Sequence, residues 1–179
     1  WALGINPAIL IGGAEMVSGA RNAPQVQRQS GPPRSSSPQE EQMRQFVARV
    51  LKTNEDVWAQ VLPQQRNIPF KRAPVVIYNR VTESACGTAQ NAMGPFYCPP
   101  DNKIYLDMSF FDEMRTKLRA GGDFAYAYVI AHEMGHHIEN QLGILPKVQQ
   151  MQQRLSRKEA NALSVRVELM ADCLAGVWA

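Results

Sequence analysis

The stretch AHEMGHHIEN, residues 131–140, holds all three histidines of the chain, His132, His136 and His137, with Glu133 between the first two. Neutral imidazole is a usual nitrogen ligand of zinc, and H-E-x-x-H is the pattern in which two such ligands share a helix with a carboxylate base. Each helical residue advances about 100°, so positions 132 and 136 lie about 40° apart, one turn along the axis. Two imidazoles so placed converge on one cation. Glu133 stands about 100° round from His132, near enough to reach a water on that cation but poorly placed to ligate it. His137 lies about 140° from His132 and points elsewhere. The spacing therefore selects His132 and His136 as ligands and leaves His137 out. The preceding FAYAYVIA is apolar and carries the motif into a buried region, where two imidazoles and a carboxylate without a partner would be costly. The competing reading is a helix with satisfied surface histidines.

A catalytic zinc site needs a third protein ligand if one position is to stay open for water. No histidine remains, which excludes the H-E-x-x-H-x-x-G-x-x-H arrangement and leaves Asp, Glu or Cys. In VELMADCLAGVW, Glu168 and Asp172 stand four apart on one helix face, among Val167, Leu169, Ala171 and Leu174. The functional reading makes Glu168 the third ligand and lets Asp172 accept the N–H of a liganding histidine. The alternative is a solvated acidic face. Cys173 lies about 140° round from Glu168, a poorer ligand, and is expected to be a buried small apolar side chain. Gly135 inside the helix costs about 1 kcal/mol against Ala, which suggests that another backbone approaches there. Tyr126, Tyr128, His137 and Arg166 are the candidates for stabilising an oxyanion beside the metal.

The elements that must position these groups follow from periodicity. Residues 1–20 are apolar but broken by Pro7 and glycines, and read as the foot of a membrane anchor lying upstream; residues 21–37 read as a disordered linker. The folded domain is expected over 38–179. Met43, Phe46, Val47, Val50 and Leu51 recur at helical spacing, predicting a helix over 39–52. A second is expected over TNEDVWAQVL, with Thr53 and Asp56 resembling a capping box. APVVIYN reads as a strand, and PFYC and KIYLD as a hairpin about PPDN. Three further helices are expected: one from an N-cap at Ser109 to Gly121-Gly122, one from Asp123 to about Leu142, and a short one from Pro146. KEANALSVRVELMADCLAGVWA makes a last helix. The fold class is α+β, a small sheet packed on several helices.

Length and composition agree with one domain: 179 residues, 45% apolar, net charge +3, and scattered basic residues that argue against a nucleic-acid surface. Cys86 and Cys98 bracket CGTAQNAMGPFYC and can close as a disulfide, a loop whose closure is worth about 3 kcal/mol in the chain-entropy picture. Two reduced thiols are the alternative.

With SACGTAQNAMGPFYCPPDNKIYLDMSFFDEM, AYVIAHEMGHHIENQLGI and VELMADCLAGVWA in view, the chain resembles the bacterial "putative neutral zinc metallopeptidase" family, membrane-anchored proteins with a gluzincin-type H-E-x-x-H…E site. The resemblance covers most of residues 38–179. It implies a zincin-like fold, one Zn2+ per chain on His132, His136 and Glu168, and Glu133 as catalytic acid/base. It also implies an N-terminal membrane anchor, a catalytic domain on the periplasmic or extracellular side, and further helices beyond a truncated C-terminal end. The expected activity is zinc-dependent hydrolysis of peptide bonds, with peptides or unfolded proteins as substrates. The hairpin and APVVIYN would offer an edge to which an extended substrate adds as a strand. The rival readings are a silent zinc-stabilised envelope scaffold or chaperone-like module, and a hydrolase of cell-wall peptide amides.

Overall fold

In the computed structural model the described residues are 37–90, 94–117 and 122–179. The expected anchor foot and nearly all of the expected linker lie outside them. The architecture is α+β and zincin-like, a small sheet packed against helices of which one carries the H-E-x-x-H motif and another Glu168.

Helix α1 runs unbroken over Pro38–Arg66, where two helices were expected. The Thr53–Asp56 capping box does not form: the Thr53 hydroxyl donates back to the Val50 carbonyl at 2.9 Å, and the Asp56 carboxylate pairs with Lys52. Thr and Asp can occupy a helix interior when their polar atoms find such partners one turn away. The true start is Ser37, which accepts from the Glu40 N–H while the Glu40 carboxylate accepts from the Ser37 N–H. Val47, Val50, Asn54, Trp58 and Leu62 form the buried stripe.

Strands β1 (Val75–Tyr78), β4 (Phe96–Cys98) and β5 (Lys103–Asp107) make one sheet in the order β1-β5-β4, while β2 (Val81–Ser84) and β3 (Gly87–Gln90) form a separate hairpin. β5 pairs parallel with β1, Ile104 opposite Val75, and antiparallel with β4, Ile104 opposite Tyr97. Period-2 alternation gives the sheet two cores. Tyr97, Ile104 and Leu106 join the helices. Phe96, Cys98, Tyr105 and Tyr78 face the other way with Ala89 of β3, and the rings of Phe96 and Tyr105 stack at 4.7 Å. The Cys86–Cys98 disulfide forms as expected, joining the turn of the β2–β3 hairpin to β4 with Cα atoms 5.9 Å apart.

Helix α2 (Met108–Lys117) is capped by Asp107 rather than Ser109: the Asp107 carboxylate accepts from both the N–H and the hydroxyl of Ser109. Helix α3 (Asp123–Gln141) holds the motif and is buried on all sides from Val129 to Glu139. Gly143, at φ 72° in the left-handed region glycine tolerates best, separates it from α4 (Ile144–Gln152). Helix α5 (Arg157–Trp178) opens on a Ser156–Glu159 capping box and packs along α3. No helix among the described residues is long and apolar enough to cross a membrane.

Candidate metal centre

The crossing of α3 and α5 sets the site. A Cβ at Gly135 would stand 2.8 Å from the Ala171 carbonyl oxygen, so only a residue without one lets α5 lie this close. Ala171 and Ala175 are buried and complete the small-residue seam. Glu168 and Asp172, on either side of Ala171, are thereby laid over the face of α3 that carries His132 and His136.

The two imidazoles converge on one carboxylate oxygen: Glu168 Oε2 is 3.2 Å from His132 Nε2 and 3.7 Å from His136 Nε2. One ligand atom from each of the three residues lies within 4.8 Å of the others. In a tetrahedral zinc site with bonds of about 2.0–2.2 Å, ligand atoms stand about 3.4 Å apart, and the two distances from Glu168 Oε2 lie close to that edge. The opposite ring nitrogens are already taken by carboxylates. His132 Nδ1 is 2.8 Å from Asp172 Oδ1, and His136 Nδ1 is 2.8 Å from Glu139 Oε2. An acceptor at Nδ1 fixes the tautomer that leaves Nε2 bare for a metal. The second oxygen of Glu168 and one oxygen of Glu133 are buried with no hydrogen-bond partner, an orphaning that a cation and its water would relieve.

The electrostatics follow from burial and proximity. Burial pushes the Glu133 carboxyl above its usual range, opposed by the two imidazoles, while the Glu168 carboxylate raises it further and the Tyr97 backbone N–H lowers it. Burial also works against charge on Glu168, but its bonds to both histidines prevail and hold it down to about 2. His136 is desolvated, yet Glu139 and Glu168 lift it to about 10; His132 is raised in the same way, chiefly through Glu168. A cation entering between these groups displaces the protons they hold.

His132, His136 and Glu168 come together as expected, with Asp172 on His132. Glu139 was not foreseen. It is fully buried, and its i, i+3 spacing from His136 is the sequence signal that would have found it. Of the expected oxyanion partners, the Tyr128 hydroxyl is committed to Asp172 Oδ1 at 2.6 Å, and Tyr126 packs between Phe46 and Phe111. His137 bonds to Tyr97 and the Lys71 carbonyl. Arg166 is exposed. Cys173 is exposed rather than buried, because the inward positions of α5 are taken by Val167, Ala171 and Ala175.

The chain matches the family described as "Putative neutral zinc metallopeptidase" over residues 1–179. It is 46% identical over 166 residues to Uncharacterized protein YpfJ of Escherichia coli K12, covering 93% of this chain and 57% of the relative. To Uncharacterized protein Rv2575 of Mycobacterium tuberculosis H37Rv it is 41% identical over 124 residues, 69% of this chain and 39% of the relative. The chain thus spans about half the length of these curated relatives. No solved structure matches at a significant level.

Proposed function

The chain belongs to the putative neutral zinc metallopeptidase family, and from that premise we propose that it is a zinc-dependent endopeptidase of gluzincin type. The observation that carries the reading is the convergence of His132 Nε2, His136 Nε2 and Glu168 Oε2, with the buried Glu133 one position from the first ligand. A purely structural zinc site closes its coordination shell with four protein ligands, and among the described residues three side chains converge here. Zinc held by His132, His136 and Glu168 would supply a Lewis acid for the scissile carbonyl and would bring the pKa of a bound water towards about 7.

The chain's own groups do the rest. Glu133, raised by desolvation, accepts the water's proton on its unpartnered oxygen and passes it to the leaving amine. Asp172 and Glu139 hold the two imidazoles in their ligating orientation. β4 is an edge strand of the sheet and packs on α3, which suits a substrate lying extended, hence an unfolded or flexible peptide segment. The Cys86–Cys98 bridge supports assembly in an oxidising compartment, in keeping with a catalytic domain on the outer side of a bacterial membrane.

Metal analysis and casein digestion of wild type and Glu133→Gln test the proposal. The expected result is one zinc in both proteins and a turnover lower in the variant by about 10²–10⁴. Zinc-loaded wild type inert on casein and on muropeptides would make the site a scaffold. Turnover on muropeptides alone would move the substrate to cell-wall amides.

A further inference from the structure

The two ligating imidazoles are held by unequal carboxylates. Glu139, on His136, belongs to the same helix and its side chain is fully buried. Asp172, on His132, reaches across from α5 with its side chain 43% exposed. A hydrogen bond to a carboxylate that water can reach is weaker than one sealed in the interior, because water competes for the same lone pairs. His132 would be the looser of the two ligands if nothing else constrained Asp172.

Tyr128 supplies that constraint. It stands one turn before His132 on α3, and its hydroxyl lies 2.6 Å from Asp172 Oδ1, the same oxygen that His132 Nδ1 approaches at 2.8 Å. An ionised carboxylate only accepts, so the phenol and the imidazole both donate to that one atom. The phenol bond falls in the charge-assisted range of about 2.5–2.7 Å. The two rings are neighbours, with centroids 6.5 Å apart and planes tilted by 42°. Successive turns of α3 thus pin a single oxygen of α5 between them. The phenol has one proton, and it is committed on the Nδ1 side of His132, whereas Glu168 is met on the Nε2 side.

We propose that Tyr128 is a positioning residue for His132: by fixing Asp172 Oδ1 it holds the imidazole so that Nε2 aims at the centre shared with His136 and Glu168. It is a holder of the ligand and not an oxyanion donor. As to ligand geometry the inference needs only the metal site; as to rate it rests on the hydrolase reading above.

The test compares zinc-loaded wild type with Tyr128→Phe, which keeps the ring and loses the bond. Nuclear magnetic resonance of the labelled imidazoles follows exchange of the two Nδ1 protons with water. Exchange at His132 should rise by about tenfold while that at His136, sealed against Glu139, stays at the wild-type rate. Zinc affinity, read by competition with a chelator, should fall by about tenfold. In an Asp172→Ala background the same substitution should cost nothing further, since the hydroxyl acts only through that carboxylate. Unchanged exchange at His132 would overturn the proposal, and so would equal acceleration at both histidines, which marks a loosened helix pair. An additive loss of affinity in the double variant would also overturn it. A fall in kcat on unfolded casein with exchange and affinity at wild-type values would return Tyr128 to the oxyanion. An inert wild type would sink the hydrolase reading while exchange and affinity still decide the role of Tyr128.

Discussion

Gly135 and Ala171 touch backbone to backbone: a methyl group at 135 would lie 2.8 Å from the Ala171 carbonyl oxygen and 3.0 Å from its Cα. Neither atom can yield without moving α5, and α5 carries Glu168 and Asp172. Gly135→Ala should gain about 1 kcal/mol of helix propensity and lose about 1–3 kcal/mol to overpacking. The expected outcome is a net loss in urea unfolding together with weaker zinc binding. A stabilised variant with wild-type zinc affinity would show that this crossing does not set the site.

Zinc content should sort the histidines. His132→Ala and His136→Ala are expected to purify without zinc, whereas His137→Phe keeps it, because neither nitrogen of His137 faces Glu168. Equal zinc loss in all three would mean that the ligand pair is misassigned.

Glu139 and Asp172 each hold the Nδ1 side of a ligand. Glu139→Leu should weaken zinc binding by about 10–100-fold, and Glu139→Gln by less, since the amide oxygen can still accept from Nδ1. Competition against a chelator of known affinity reads this directly. Indistinguishable affinities for Leu and Gln would argue that the hydrogen bond to His136 is dispensable.

Zinc binding should expel protons. Burial draws the His136 proton off, but Glu139 and Glu168 outweigh it and hold that proton up to about 10, with His132 raised as well. At neutral pH a cation therefore competes with protons on the nitrogens it needs, and affinity should climb as pH rises from neutral towards about 10. Calorimetry in two buffers of different ionisation enthalpy counts the protons. No proton transfer, together with a flat affinity across that range, would contradict the charge arrangement around Glu168.

The chemistry was more legible in the sequence than the scaffold. His132, Glu133, His136, Glu168 and Asp172 announce themselves because helical spacing converts position into direction, and acidic residues on an apolar helix stand out. Glu139 was hidden by the richer motif beside it. The β2–β3 hairpin left little trace, since Val81, Glu83 and Thr88 are exposed and only Ala89 reaches a core; strands of this kind lack the apolar alternation that marks a half-buried strand. α1 was divided in two because Thr53 and Asp56 imitate a helix start. Only their actual partners, Val50 and Lys52, show otherwise. The pairing of Tyr97 with His137 joins residues 40 apart in the chain, a distance over which no local pattern carries information.

The disulfide gains a second meaning from the alternation of β4. Tyr97 faces α3 while Phe96 and Cys98 face the opposite core. Sliding the strand by a single residue would exchange those roles and turn a sulfur or a phenyl ring towards His137. A three-residue strand has few ladder bonds with which to resist such a slip. The Cys98 sulfur reaches Cys86 only from the outer face, so the oxidised chain is denied the out-of-phase pairing altogether. Beyond narrowing the unfolded ensemble, the covalent bond acts as a phase lock, deciding which of three neighbouring side chains α3 receives.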